Sequence, residues 1–453
     1  MSALHDFVKR FEPDHKNKFL HTTYDAFYTF LFQPGTVTTG GGVHIRDGMD
    51  LKRLMVHVVL ALQLCYVYGT WNIGHQHFSA LGQYTGALEG LHLKLVFGLI
   101  KLLPIFVVTH LVGLGIEFVY AARKGHSVEE GFLVSGALIP LIMPPDISLF
   151  VLAISVAFAV VLGKEAFGGT GMNIWNVALL ARVFIFFAYP TTISGDEVWI
   201  AGLEKLDAGW ASQQYGLVFG VFDGLFSAIG WDTFGAGGRL VADGYTGATP
   251  LGLAAKGGWG AVTEHYSVNQ MFWGAIPGSI GETNKFFIIL GMAFLMVTRI
   301  ADWRIIVGGI LGFVACGLMF NALAPAEMTA DTPGIFWFMA VPWYYQFIMG
   351  SFLFSIVYMA TDPVSAASTS TGKWIYGFLI GFIGLIIRVW NPAYPEGWML
   401  AILFMNTFAP LIDHYVLQAN INRRAKRGVQ LAKVRSELIT EQGKIEVLAP
   451  QNA

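Results

Sequence analysis

The chain has 453 residues, 55% of them hydrophobic and only 13% charged, with a formal net charge of −2. A soluble domain carries roughly 25% charged residues, so this composition excludes an ordinary soluble fold and marks a membrane protein. The near-neutral charge leaves no electrostatic footprint for nucleic acid, and the cysteines, Cys65 and Cys316, sit apart in apolar runs without metal-ligand or iron–sulfur spacing.

Residues 1–50 read as a cytoplasmic arm of mixed charge, broken by Gly35 and Gly40-Gly41-Gly42. The arm lacks the apolar core of a secretory signal, so none is expected. About ten apolar runs follow, near 54–72, 98–122, 131–145, 147–163, 172–190, 285–301, 304–325, 343–361, 373–390 and 398–417. A bilayer helix needs roughly 20 apolar residues, and the third, fourth and ninth runs are shorter. The third and fourth, with Pro144-Pro145 between them, form either one helical hairpin or half-helices that stop inside the membrane.

The eighth run stops at Met359-Ala360-Thr361-Asp362, and the third stops at Met143-Pro144-Pro145-Asp146. Ala188-Tyr189-Pro190 and Ala393-Tyr394-Pro395 make a second echo. Paired broken segments in two halves are the sign of an internal repeat with a pathway at its interface. The expected fold is an all-α polytopic membrane protein: a first repeat over 51–190, an external region over 191–284, a second repeat over 285–418 and a basic tail over 419–453.

Charge sets the orientation. Lys52-Arg53, Arg123-Lys124, Lys164, Arg299 with Arg304, Lys373 and the run from Arg423 to Arg427 fall at one set of span ends. The positive-inside rule makes those ends, and both termini, cytoplasmic. Residues 191–284 then lie outside, in the periplasm of a Gram-negative envelope. Within them, Leu217 to Trp231 reads as an amphipathic helix lying on the membrane or on a partner.

Three places carry candidate chemistry. Gly168-Gly169-Thr170-Gly171 is followed by Asn173 and Asn176. Glycines let backbone approach a ligand closely, and the polar residues recur at spacing three, as on one face of a starting helix. Acids lie in or at the spans: Glu117, Asp146, Asp362 and Asp413. A charge at membrane depth costs a few kcal/mol and needs a reason. Hard cations take oxygen ligands such as these, while pairing with Arg182 or Arg388 would make the acids structural. The third place is Asp243-Gly244-Tyr245-Thr246-Gly247-Ala248-Thr249-Pro250, a turn whose hydroxyls stand where backbone bulk is minimal. His265 and Glu264, the nearest candidates to activate a hydroxyl, read as a solvated loop pair.

That last stretch resembles the flavinylation motif Asp-x-x-Ser/Thr-Gly-Ala-Thr/Ser. Lys164 to Gly171, Phe187 to Pro190, Ile276 to Glu282, Met359 to Ser365 and Asn391 to Gly397 follow in matching order. Together, from about Asp47 to about Arg427, they resemble the B subunit of the Na+-translocating NADH:quinone oxidoreductases; residues 201–238 look like an insertion.

The resemblance implies two inverted five-helix halves with broken helices. It implies FMN joined by a phosphoester to Thr249, with Asp243, Thr246, Gly247 and Ala248 as the recognition context for a flavin transferase. It implies a non-covalent riboflavin near Gly169, Thr170, Asn173 and Asn176, and a ubiquinone site on the helix of Gly113, Leu114, Gly115 and Glu117. Here Leu114 departs from the family's adjacent glycines, which alters the shape of that pocket. Na+ is expected to cross by Asp362, Asp413 and Glu117. The expected partners are the other subunits of a bacterial inner-membrane complex, including a second FMN-bearing subunit and an NADH-oxidising FAD/iron–sulfur subunit. The D subunit of Rnf complexes shares the flavinylation motif and is the alternative in the same class; a non-redox channel or transporter is the alternative outside it.

Overall fold

The computed structural model describes residues 51–124, 131–193, 197–201, 247–325, 332–391 and 397–448, with isolated positions before 51 and between 326 and 331. Asp243, Thr246, the insertion beyond Ala201 and the echo at Ala393-Tyr394-Pro395 lie outside the described residues. Among those described there is no strand. In chain order the helices are α1 (Leu51–Ala80), α2 (Leu91–Lys124), α3 (Phe132–Ile142), α4 (Leu149–Gly163) and α5 (Val177–Ala188). Then come α6 (Pro250–His265), α7 (Val268–Trp273), α8 (Lys285–Val297), α9 (Trp303–Leu323), α10 (Gly334–Ala340), α11 (Trp343–Gln346), α12 (Phe352–Phe354), α13 (Ser370–Trp390) and α14 (Trp398–Leu448). Six helices, counting α4 on through its 3-10 turn to Phe167, are long and apolar enough to cross a membrane; α3, α5 and α8 are apolar but shorter.

Each of the ten predicted runs contains helix, with three differences. First, α1 and α2 extend to Ala80 and back to Leu91, beyond the apolar cores read from sequence. Second, the fifth helix starts only at Val177, because Asn176 is extended (φ −66°, ψ 120°) and caps it; the turn before it holds Gly168, Gly169 and Gly171 at φ of 123°, 105° and 89°, which no right-handed helix admits. Third, the eighth run is broken, with α11 ending at Gln346 and helix resuming at Phe352 into a π-helical turn, Ser355–Met359. Single π turns are frequent at functional sites.

The helix breaks organise the core. With 11 residues, α3 spans about 16 Å at 1.5 Å per residue, about half of a bilayer's hydrocarbon thickness. It is buried along most of its length and packs on α1, α2 and α5. Stopping a helix at depth orphans its last carbonyls, and buried donors answer them. Gly281 N–H donates to Leu141 O at 2.7 Å, and the fully buried Arg182 donates to Ile142 O. In the second half Arg388 donates to Gln346 O at 2.9 Å, and the Lys285 ammonium donates to Gly350 O at 2.7 Å and Glu282 O at 2.6 Å. Cations suit a helix C-terminus because the macrodipole is negative there. Arg388 thus serves a carbonyl rather than the acids expected from sequence, and Arg182 stands 3.8 Å from Glu282, not from Glu117, Asp362 or Asp413.

Backbone contact joins the outer layer of the second half. A Cβ at Gly312 would strike Phe378 O, and one at Gly381 would strike the Gly309 backbone, so α9 and α13 meet at van der Waals distance. In lipid, where no hydrophobic force pushes helices together, such small-residue seams supply the packing. The two halves meet where α1 packs on α8 and α5 on α14.

Candidate functional site

At the seam between the halves lies a cavity of about 60 Å³, lined by Lys164, Thr170, Asn173, Asn176, Tyr358 and Asp362 among others. A water needs roughly 10–15 Å³ by this measure, so the space takes a few waters or a partly hydrated ion, not a ring system. The sequence placed Thr170, Asn173 and Asn176 on one helix face. They converge on one cavity instead by a turn, with only Asn176 at the helix, as its cap.

Asn176 faces both ways. Its Oδ1 accepts from Ala178 N and Leu179 N at 3.0 and 3.3 Å, satisfying two of the orphan amides that start α5. Its Nδ2 donates to Asp362 Oδ2 at 3.5 Å. Asp362 follows the π turn and also accepts from Ser365 Oγ at 2.8 Å and Val364 N at 3.2 Å. Among the described residues its hydrogen-bond donors are all neutral. Behind Asn176 stands the buried Asn406, whose amide satisfies both its atoms by donating to Tyr376 Oη and accepting from Asn176 N at 3.2 Å. Thr170 Oγ1 is buried without a hydrogen-bond partner among the described residues, and Asn173 spends its Nδ2 on Trp175 O at 3.0 Å.

The other acids differ. Glu117 is buried on α2 and takes the ammonium of Lys164, which also lines the cavity. Gly113 beside it faces the Phe132 ring, Leu114 packs on the core, and Gly115 alone has open space around it. The expected small-residue groove is therefore filled at Gly113 and open only at Gly115. Asp413 accepts from Ser368 N at 2.6 Å, Thr369 N at 3.0 Å and Thr369 Oγ1 at 2.5 Å, fixing the loop that leads into α13. Asp146 pairs with Lys101 at 2.6 Å.

Thr249 is the N-cap of α6. Its Oγ1 accepts from Gly252 N at 3.1 Å, and Pro250 follows at the first helical position. Gly247 takes φ 54°, a conformation costly for any residue with a Cβ. Ala248 is buried, with its carbonyl bonded by Tyr266 Oη at 2.9 Å, while Thr249 is half-buried. Turn and cap fix the hydroxyl at the first turn of α6, whose backbone is interrupted at Gly257 and Gly258; free N–H groups at a helix start suit a phosphate. Glu264 and His265 close α6 instead of forming a loop, and both are exposed.

Sequence reasoning missed Lys285, Asn406 and Tyr376, and read Lys164 only as an end charge. Glu282 and Lys285 had a signal in Gly281-Glu282-Thr283-Asn284-Lys285 at the head of an apolar run; Asn406 and Tyr376 had none beyond being polar within one.

The profile of the NQR2, RnfD, RnfE family matches residues 38–422. The chain is 40% identical to the B subunit of the Na(+)-translocating NADH-quinone reductase of Chromohalobacter salexigens, covering 96% of this chain and 98% of that one. It is 41% identical to the same-named protein of Pseudomonas aeruginosa, covering 89% and 93%, and 42% identical to that of Azotobacter vinelandii, covering 90% and 94%. The chain belongs to the NQR2, RnfD, RnfE family.

Proposed function

We propose that the chain is the membrane-embedded B subunit of a Na+-pumping NADH:quinone reductase, carrying flavin and a Na+ path side by side. The names of its relatives, over nearly their whole length, support the coarse reading. The observation that carries the ion path is Asp362, a carboxylate at a helix break, met by neutral donors and facing an ion-sized cavity. Oxygen ligands on an interrupted helix are what a hard monovalent cation requires.

Thr249 fits a covalent FMN, since its hydroxyl is half-buried, held at a helix N-terminus and flanked by Gly247 and the small Ala248. Asp243 and Thr246 belong to the same proposed recognition motif, read by a flavin transferase. Riboflavin fits the orphan hydroxyl of Thr170 with Gly169, Asn173 and Asn176. The cavity is too small for a ring system, so these residues would hold the flavin from the side of Gly171 and Met172, which are exposed. Bound flavins would supply two-electron acceptance and one-electron release. This chain's residues tether, orient and screen them, and Asp362 and Ser365 offer oxygen to Na+. Ubiquinone is proposed on α2 around Gly113, Leu114, Gly115 and Glu117, with the open space at Gly115 on one face and the buried Gly113 and Glu117 on the other. Asp413 borders the ion route through its hold on the α13 loop.

Electrons enter from partner subunits, among them an FMN-bearing subunit and an NADH-oxidising FAD/iron–sulfur subunit. The chain sits in a bacterial inner membrane with both termini cytoplasmic and Thr249 periplasmic. A reporter fused near Lys256 is then active only when exported, and one near Arg427 only in the cytosol; the reverse pattern overturns the orientation. Intact mass and visible spectroscopy of the full chain, co-expressed with a flavin transferase, test the flavin reading. The wild-type chain gains one FMN phosphoester and yellow absorbance, Thr249→Ala gains no covalent FMN and Thr246→Ala retains it. A colourless wild-type chain of unmodified mass refutes the proposal.

A further inference from the structure

The two helix breaks are echoes in sequence and opposites in charge. The first ends in Met143-Pro144-Pro145-Asp146 and the second in Met359-Ala360-Thr361-Asp362. At the first, the Lys101 ammonium sits 2.6 Å from Asp146 Oδ1, with the lysine side chain 4% exposed. At the second, Asp362 meets a serine hydroxyl, an amide and a backbone N–H. The ammonium reaches Asp146 from α2, the second helix of its half. The second helix of the other half, α9, has no charged residue from Ile305 to Leu323. So Asp146 is met directly by a cation, whereas among the described residues no cation bonds to Asp362, and the Lys164 ammonium that shares its cavity is paired with Glu117.

A site of this kind calls for positive charge. The C-terminal end of α3 contributes the negative pole of its dipole, and Asp146 adds a full charge. An ammonium and a monovalent metal ion present the same unit charge to such a site, and a lysine on a neighbouring helix delivers it permanently. Around Lys101 the structure holds the Phe97 ring at 5.8 Å, and against that ring stacks His77, whose Nδ1 meets Ala201 O at 2.7 Å. At the same helix end the Arg182 guanidinium answers the Ile142 carbonyl, while the Lys101 ammonium answers the Asp146 carboxylate.

We infer that the Asp146 break is a monovalent-cation site whose occupant is the chain's own Lys101 ammonium, leaving Asp362 as the exchangeable site of the pair. The first half is then permanently loaded and stays closed. Only the second site then exchanges its cation. The comparison with Asp362 rests on the ion-path reading above, but the site at Asp146 does not, and the test separates them.

The test is thermal unfolding of the purified full chain in detergent, titrated with NaCl against choline chloride at constant ionic strength. Every variant is built on Asp362→Asn, which removes the exchangeable site. The Asp362→Asn parent is expected to show no Na+-specific shift. Adding Lys101→Gln vacates the first site, and its Tm is expected to rise by several degrees with Na+ and not with choline, as a ligand that binds only the folded state requires. Adding Lys101→Arg, which keeps a tethered cation, gives no such rise, and Lys101→Gln with Asp146→Asn abolishes it. Three results overturn the inference: equal response of Lys101→Gln to Na+ and choline, a Na+ response that survives loss of Asp146, or a Lys101→Gln chain that cannot be recovered in Na+ while the double variant folds. The last means that Na+ is no substitute for the ammonium and the contact is an ordinary ion pair. A parent that still responds to Na+ counts against the Asp362 reading alone.

Discussion

Asn176 Nδ2 lies 3.5 Å from Asp362 Oδ2, joining the cap of a helix in the first half to the helix break of the second. The same side chain holds α5 in place and touches the acid assigned to Na+. Movement of either half against the other must change this contact.

Replacing Asn176 separates its two jobs. Asn176→Ser keeps a capping oxygen, and Ser is about as good an N-cap as Asn, but it removes the amide that reaches Asp362. The expected result is a Tm near that of the wild type with Na+ activation of quinone reduction shifted to higher concentration. Asn176→Ala loses both and costs about 1 kcal/mol in addition. Parallel Tm and turnover measurements check it; a shift in Tm without a shift in Na+ dependence assigns Asn176 to capping alone.

How far the sequence was legible follows from the kind of information each feature needs. The apolar runs, the Met-x-x-Asp breaks and the glycine turn at Gly168 to Gly171 are local: composition and φ preference declare them. The convergence of Thr170, Asn173 and Asn176 was expected through helical spacing, and it arises through a turn, with glycines at positive φ before it and the extended Asn176 capping the helix only at its end. Pairings were the illegible part. Glu117 with Lys164 and Asp146 with Lys101 lie 47 and 45 residues apart, and which cation meets which acid depends on helix adjacency that no local pattern encodes. Lys101 stays inconspicuous inside an apolar run for that reason. The charges of a span are visible in sequence, and their partners are not.

Glu117 and Lys164 form a pair in which both members are buried. Glu117→Gln leaves the ammonium without its counter-charge, and breaking such a pair from one side costs about 3–5 kcal/mol. Glu117→Gln with Lys164→Met removes both charges and is expected to recover most of that stability. If Glu117 also serves the quinone, the double variant keeps a raised quinone KM despite its recovered Tm. Denaturation and steady-state kinetics on the same preparations check this; a normal KM in the double variant makes the pair purely structural.

Asp302 caps α9, and its surroundings set the sign of a pH dependence. Burial pushes its pKa up, but the hydrogen bond from Lys373, the Arg304 backbone N–H and the charges of both residues outweigh it, and the carboxyl lies below its usual range. A depressed folded-state pKa contributes stability that is fully present above the unfolded value of about 3.9 and is lost as pH falls through the folded value. The Tm of the wild type is therefore expected to fall more steeply below about pH 4 than that of Asp302→Asn, with the two curves parallel above it. Identical slopes in acid would remove the linkage from this cluster.

Asp362 and Asp413 were expected together on the ion path, and their surroundings predict different variants. Asp362 touches a serine hydroxyl, an asparagine amide and one backbone N–H beside open space. Asp362→Asn keeps the volume, with its oxygen toward Val364 N and its NH2 toward Ser365 Oγ, a hydroxyl that can turn to accept, while deleting the charge that attracts a cation. Its expected phenotype is Na+ activation shifted to higher concentration, with flavin content, Tm and NADH oxidation to an artificial acceptor unchanged. Asp413 engages two backbone N–H groups and a threonine hydroxyl at the entrance of α13. An amide in its place turns an NH2 toward one of those donors and leaves it unsatisfied, at about 1–3 kcal/mol. Asp413→Asn is therefore expected to lower Tm, and to alter Na+ dependence only through the loop from Pro363 to Thr369 that it holds. Steady-state turnover against Na+ in the assembled complex, run beside thermal unfolding, distinguishes the two. Unchanged Na+ activation in Asp362→Asn would sink the ion-path assignment, and a purely kinetic effect in Asp413→Asn, at wild-type Tm, would move Asp413 from loop anchor to cation ligand.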